Sequence, residues 1–151
     1  MLKVAIYGRE FDDAHIPYIQ LLFDRLAENK AQVTVYKRFF EYLKPRINFS
    51  ENVTPFSRQS KLRDKVDFLF SIGGDGTLLD ATTFVRESGI PILGFNTGRL
   101  GYLSATPLNE IDLAMRSIND GEYDLDRRTM LKVETRDNPF GKTNFALNEI
   151  T

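Results

Sequence analysis

The chain contains no cysteine. Disulfides, thiolate-bound zinc, iron–sulfur clusters and thiol nucleophiles are therefore excluded within it. Histidine occurs once, at His15, at a predicted helix start with no visible partner, so a histidine-rich metal site is excluded too. Neither sign of charge predominates: 20 Lys and Arg stand against 21 Asp and Glu, a formal net charge of -1. That balance supplies no bulk attraction toward nucleic acid or an anionic membrane, and any phosphate recognition must be local. No run approaches the ~20 apolar residues that cross a bilayer, and the apolar start from Met1 to Gly8 is too short for a signal peptide. The expected setting is cytoplasmic, with small-molecule partners and neither nucleic acid nor membrane.

Core-forming bulk is plentiful, with 12 Phe and 6 Tyr in 151 residues of which 42% are hydrophobic. A chain of this size buries roughly 68–70% of its unfolded surface, enough for one independent core. Its pattern alternates. Residues 2–7 read as a strand, 16–28 as a helix with Ile19, Leu22, Phe23 and Leu26 on one side, 31–36 as a strand and 38–43 as a helix ended by Pro45. Residues 48–65 carry the polar and basic composition of an exposed connection, with Arg58, Lys61, Arg63 and Lys65 as its cations. The nearly continuous apolar run 66–72 predicts a central strand covered on both faces, followed by a helix over 78–87 and a strand over 90–95. Such alternation implies an α/β fold: an open parallel sheet of βαβ units.

A further helix is predicted over 108–118, ended by Asn119-Asp120-Gly121. Beyond it the pattern changes to strands at 126–135 and 143–148 around a turn at 137–141. The domain reading is therefore an α/β nucleotide-binding domain over 1–121 and the first strands of a β-rich second domain over 122–151. Two strands do not make an independent sheet, so the chain is expected to be the N-terminal portion of a longer protein.

The chemistry concentrates in Gly73-Gly74-Asp75-Gly76-Thr77, where the central strand runs straight into a helix. Unencumbered backbone N–H groups at a helix N-terminus favour a phosphate, and glycines let a ligand approach the backbone. A carboxylate beside bound phosphates is repelled by them and persists only if something compensates. Two readings of Asp75 stand here: a general base accepting a proton from an attacking hydroxyl, or a helix cap, with Thr77 and Asp80 spaced as a capping box. Neither G-x-x-x-x-G-K-[ST] nor a G-x-G-x-x-G after the first strand is present, which weakens the usual nucleoside-triphosphatase and dinucleotide-dehydrogenase readings.

Gly-Gly-Asp-Gly-Thr after an apolar strand resembles a kinase superfamily that includes NAD kinases, lipid kinases of the diacylglycerol and sphingosine type and, more distantly, phosphofructokinases. The stretch from Gly94 to Leu103, GFNTGRLGYL, is similar to the NAD kinase pattern G-x-N-x-G-x-L-G-F-L, with Tyr102 where Phe is customary. Arg128-x-x-Leu131 and Ala146-Leu147-Asn148-Glu149 follow in the family's order.

The resemblance implies an enzyme that transfers the terminal phosphoryl group of ATP, or of inorganic polyphosphate, to the 2′-hydroxyl of the adenosine ribose of NAD. It implies Asp75 as proton acceptor, with Gly73, Gly74, Gly76 and Thr77 shaping the dinucleotide loop. Leu100 and Tyr102 would lie near the adenine, and Asn148 and Glu149 would hydrogen-bond NAD. Arg128 would anchor the start of the second domain. No resident metal site is implied; Mg²⁺ is implied with ATP, because phosphoryl transfer needs charge neutralised on the β- and γ-oxygens. The full-length protein is expected to be a dimer or tetramer, and this stretch alone inactive. Two rivals remain: a lipid kinase of the same superfamily, and a non-enzymatic flavodoxin-like receiver module suggested by Asp12-Asp13 after the first strand.

Overall fold

The computed structural model describes residues 1–58, 60–99, 101–134, 137 and 145–147. Five principal strands form along the apolar runs and their neighbours: β1 (Lys3–Gly8), β2 (Gln32–Tyr36), β3 (Val53–Phe56), β4 (Phe68–Ile72) and β5 (Ile92–Asn96). With the two-residue β6 (Thr106–Pro107) they make one six-stranded sheet in the order β3-β2-β1-β4-β5-β6. Every pairing in that sheet is parallel. The order reverses between β1 and β4, since the chain builds outward to β3, returns to β4 and builds outward again.

Side-chain alternation sorts the sheet into two cores. Val4, Ile6, Val33, Val35, Phe70, Ile72 and Phe95 face one side. There they meet α1 (Ile16–Glu28), α2 (Lys37–Leu43) and α4 (Ile111–Asp120). Ala5, Tyr7, Phe56 and Leu69 face the other side and meet Ala81 and Val85 of α3 (Asp75–Val85). Pro17 opens α1, where its missing N–H is no loss, and the predicted stripe Ile19, Leu22, Phe23 and Leu26 is its buried face. Arg25 on the same helix donates to Asp112 at 2.7 Å and to Glu28 at 2.9 Å, joining α1 to α4.

Several elements differ from the pattern reading. The connection 48–65 contains β3, which among the described residues pairs with β2 alone; Pro55 removes a donor from it, a change an edge strand tolerates. The helix α3 begins at Asp75 rather than at 78, because Gly76 and Thr77 take helical geometry in its first turn. β5 lies two residues later at its start than the expected 90–95. Of the expected strand 126–135, Leu131–Lys132 (β7) pairs, antiparallel with Phe145–Ala146 (β8). Residues 121–129 are exposed, and Tyr123 meets the Phe68 ring edge-on at 5.5 Å. Arg128 pairs with Asp126, two residues away, at 2.7 Å.

Candidate functional site

The Gly-rich loop joins the carboxyl end of β4 to the N-terminus of α3, between β1 on one side and β5 on the other. Gly73 has φ +150°, and a Cβ placed there would overlap the Thr77 side chain. Gly74 occupies the N-cap position without a side-chain cap, and Asp75 opens the first turn.

The Asp75 carboxylate does not cap that helix. It reaches across to the loop after β5, where Oδ2 accepts from the Tyr102 N–H at 2.9 Å and Oδ1 accepts from the Leu103 and Ser104 N–H groups at 3.0 and 2.8 Å. The Ser104 N–H, followed by those of Leu103 and Tyr102, holds the carboxyl below the usual carboxylate range, against the opposing effect of its partial burial. The charge that phosphates would repel is thereby stabilised by three fixed donors. A carboxylate has about four lone-pair sites, so Oδ2, with one N–H partner, retains room for another donor.

The second loop owes its shape to Asn96, the last residue of β5. Its buried side chain closes an Asx turn, Oδ1 accepting from the Gly98 N–H at 2.7 Å. Nδ2 donates to the Arg99 and Ser104 carbonyls at 2.8 and 2.9 Å. The Ser104 hydroxyl donates to the Gly73 carbonyl at 3.0 Å, so one residue ties the two loops twice. Gly101 completes the fit, because a Cβ there would overlap the Asp75 carboxylate.

The structure brings together Gly73, Gly74, Asp75, Gly76, Thr77 and Tyr102 of the expected site. Thr77 is buried and Gly76 exposed. Tyr102 is 97% exposed, and its ring has no aromatic partner among the described residues. Leu100, Asn148 and Glu149 lie outside the described residues. The capping box is overturned: Asp80 accepts from the Tyr7 hydroxyl at 3.1 Å and pairs with Arg9. Asp12 and Asp13 form no acidic pocket either, since Asp12 caps a turn by accepting from the Ala14 N–H at 2.8 Å and Asp13 pairs with Arg46 at 3.6 Å.

Three residues escaped the sequence reading as parts of the site: Asn96, Gly101 and Ser104. The Asn96-Thr97-Gly98 spacing is an Asx-turn signal that could have found the first. Nothing local marks Ser104, because the two groups it bonds in the Gly-rich loop, Asp75 and the Gly73 carbonyl, are 29 and 31 residues away. Among the described residues no three His, Asp or Glu side chains gather to hold a metal ion. The lone carboxylate of the loop, already bonded to three N–H groups, is not a cation cage. No described helix is long and apolar enough to cross a membrane.

Known proteins resemble this chain in sequence and in fold. The chain is 39% identical over 146 residues to an NAD kinase of Cytophaga hutchinsonii, an alignment covering 96% of this chain and 50% of the relative. It is 36% identical over 152 residues to an NAD kinase of Flavobacterium psychrophilum, covering 99% of this chain and 52% of the relative. The chain thus spans about half the length of the curated relatives it matches. Among solved structures, yeast NADH kinase complexed with NADH shares the fold, with a TM-score of 0.73 at 19% identity over 91% of this chain and 44% of that one. The model of the ATP-NAD kinase N-terminal domain matches residues 4–123, and the chain belongs to that family.

Proposed function

We propose that this chain forms the N-terminal α/β domain of an NAD kinase, which transfers the terminal phosphoryl group of ATP, or of inorganic polyphosphate, to the 2′-hydroxyl of the adenosine ribose of NAD. The observation that carries the reading is Asp75: an ionised carboxylate held by three backbone N–H groups beside a glycine-rich helix start at the carboxyl end of a central strand. Open α/β sheets bind ligands there.

In this reading Asp75 Oδ2 accepts the hydroxyl proton as the ribose oxygen bonds to the terminal phosphorus and the P–O bond to the departing ADP, or shortened polyphosphate, breaks. Its depressed affinity for protons is no obstacle, since the proton departs as the oxygen attacks phosphorus and the base chiefly orients the nucleophile. Gly73, Gly74, Gly76 and Thr77 form the floor of the site, Leu100 and Tyr102 flank the adenine, and Asn148 and Glu149 bind the nucleoside. Mg²⁺ enters with the donor as part of the substrate. Residues 1–121 are the nucleotide-binding domain and 122–151 begin a β-rich partner domain, in a cytoplasmic enzyme that assembles as a dimer or tetramer.

The test is NADP formation from NAD and Mg-ATP, or polyphosphate, by protein spanning the full length of the relatives, read with an NADP-specific dehydrogenase. Asp75→Asn is expected to lower kcat about 10²- to 10⁴-fold with the KM for NAD nearly unchanged. Undiminished turnover in that variant would return Asp75 to a structural role. A folded wild type inactive with both donors would refute the kinase reading.

A further inference from the structure

On the β1 side of the same helix start, opposite the Asp75 loop, lies a cleft of about 500 Å³. It opens at the carboxyl ends of β1 and β2, next to the reversal of sheet order between β1 and β4, and the carboxyl-end rim near such a reversal is where doubly wound sheets take ligands. Its lining includes Tyr7, Arg9, Tyr36, Arg38, Arg58 and Asp80. Three arginines line it, Arg9, Arg38 and Arg58, against two acidic residues, Asp80 and Glu10, in a protein whose net charge is -1. This is a local positive excess of the kind the overall composition does not supply.

Arg9 is the organised member. Asp80, on α3, pairs with its Nη2, and the Tyr7 hydroxyl donates to the same Asp80 oxygen. Tyr7 stays a donor because burial, then the Asp80 charge, push its phenol up. The Arg9 and Asp80 side chains are 62% and 34% exposed, and an ion pair so exposed adds little to stability. The arrangement instead fixes a five-donor fork while Asp80 occupies one nitrogen, leaving other N–H groups for a bidentate anion. Arg38 and Arg58 make no ion pair among the described residues, and Arg58 lies over the Phe84 ring at 5.7 Å.

Asp80 is five residues beyond Asp75, about 7.5 Å along the helix axis. A chain of phosphates lying across the helix start could therefore touch Arg9 at one end while its terminal group meets an acceptor held beside Asp75. We infer that Arg9, held by Asp80 and Tyr7 and assisted by Arg38 and Arg58, binds the phosphoanhydride chain of the phosphoryl donor, and that Asp80 is a positioning residue acting through Arg9. This inference rests on the proposed kinase reading for the name of the ligand, though the anion site stands on its own geometry.

The test uses protein of the full length, titrated calorimetrically with Mg-ATP and, separately, with inorganic tripolyphosphate, in the absence of acceptor. Arg9→Ala is expected to weaken both about 10- to 100-fold, with the KM for NAD and the melting temperature unchanged. Arg9→Lys should recover only part, since an ammonium lacks the fork. Asp80→Asn should raise the donor KM more than it lowers kcat, and Asp80→Glu should restore it. Unchanged binding of both ligands to Arg9→Ala would overturn the inference, as would loss of ATP alone, which would mean that the cleft reads the nucleoside. Should Arg9→Ala fail to fold, Arg58→Ala, at an exposed position, reads the same cleft by the same two ligands. Arg9-dependent tripolyphosphate binding in a protein that makes no NADP would refute the kinase reading and leave the anion site standing.

Discussion

Asp75 and Tyr102 illustrate how differently neighbouring side chains are held. The Asp75 carboxylate accepts three backbone N–H groups, so its direction is set by main chain that no substitution at 102–104 short of proline removes. The Tyr102 ring is 97% exposed, and among the described residues its N–H is the group that is engaged. Tyr102→Ala should therefore leave the melting temperature unchanged. Under the proposed function it should raise the KM for NAD about tenfold, as expected for a lost base-stacking partner, with the donor KM constant. An equal rise in both KM values, or a lower melting temperature, would mean that the ring supports the loop instead. From sequence alone Asp75 could be a base or a cap; what separates the readings is the direction of its carboxylate, and that depends on residues 27 to 29 positions away.

The loop from Asn96 to Ser104 behaves as one element because a single buried amide closes it at three points: the Gly98 N–H, the Arg99 carbonyl and the Ser104 carbonyl. Asn96→Ala strips those partners. The expected cost is about 1–3 kcal/mol in a urea titration, with kcat falling further because the N–H groups that orient Asp75 come from this loop. A variant that loses stability but keeps full turnover would dissociate the loop from catalysis. Periodicity made α1 legible, since the stripe Ile19, Leu22, Phe23 and Leu26 repeats over a full 13-residue helix. It could not reveal β3: Val53–Phe56 is four residues long, holds Pro55 and has only one buried side chain, so it earns its strand geometry from pairing with β2.

Across the molecule the sheet carries two cores whose carboxyl-end rim collects the site, and its electrostatics give an acid limit to stability. Asp75 and Asp112 are both held below the ordinary carboxylate value, by the Ser104 N–H foremost in the first case and by Arg25 in the second. A carboxylate depressed in the folded state contributes its full stabilisation above its unfolded pKa, near 4, and loses it as pH falls through the folded value. Urea midpoints are thus expected to be level from pH 5 to 7 and to drop below about pH 4. Asp112→Asn should flatten part of that drop, and an unchanged acid limb would remove the Arg25 pair from the account.

The identity of the longer strands and helices, the α/β class and the position of the Gly-Gly-Asp-Gly-Thr loop at the end of a buried strand could be read from residue order, because burial on two faces and helical periodicity are local constraints on neighbouring side chains; the short β3 and β6 could not. The sheet order, the partners of Asp75 and the Arg9–Asp80–Tyr7 cluster could not. They join residues 27 to 73 positions apart, and such contacts are selected by which strands pair and how the helices pack, a choice made by the whole chain when it buries its apolar surface.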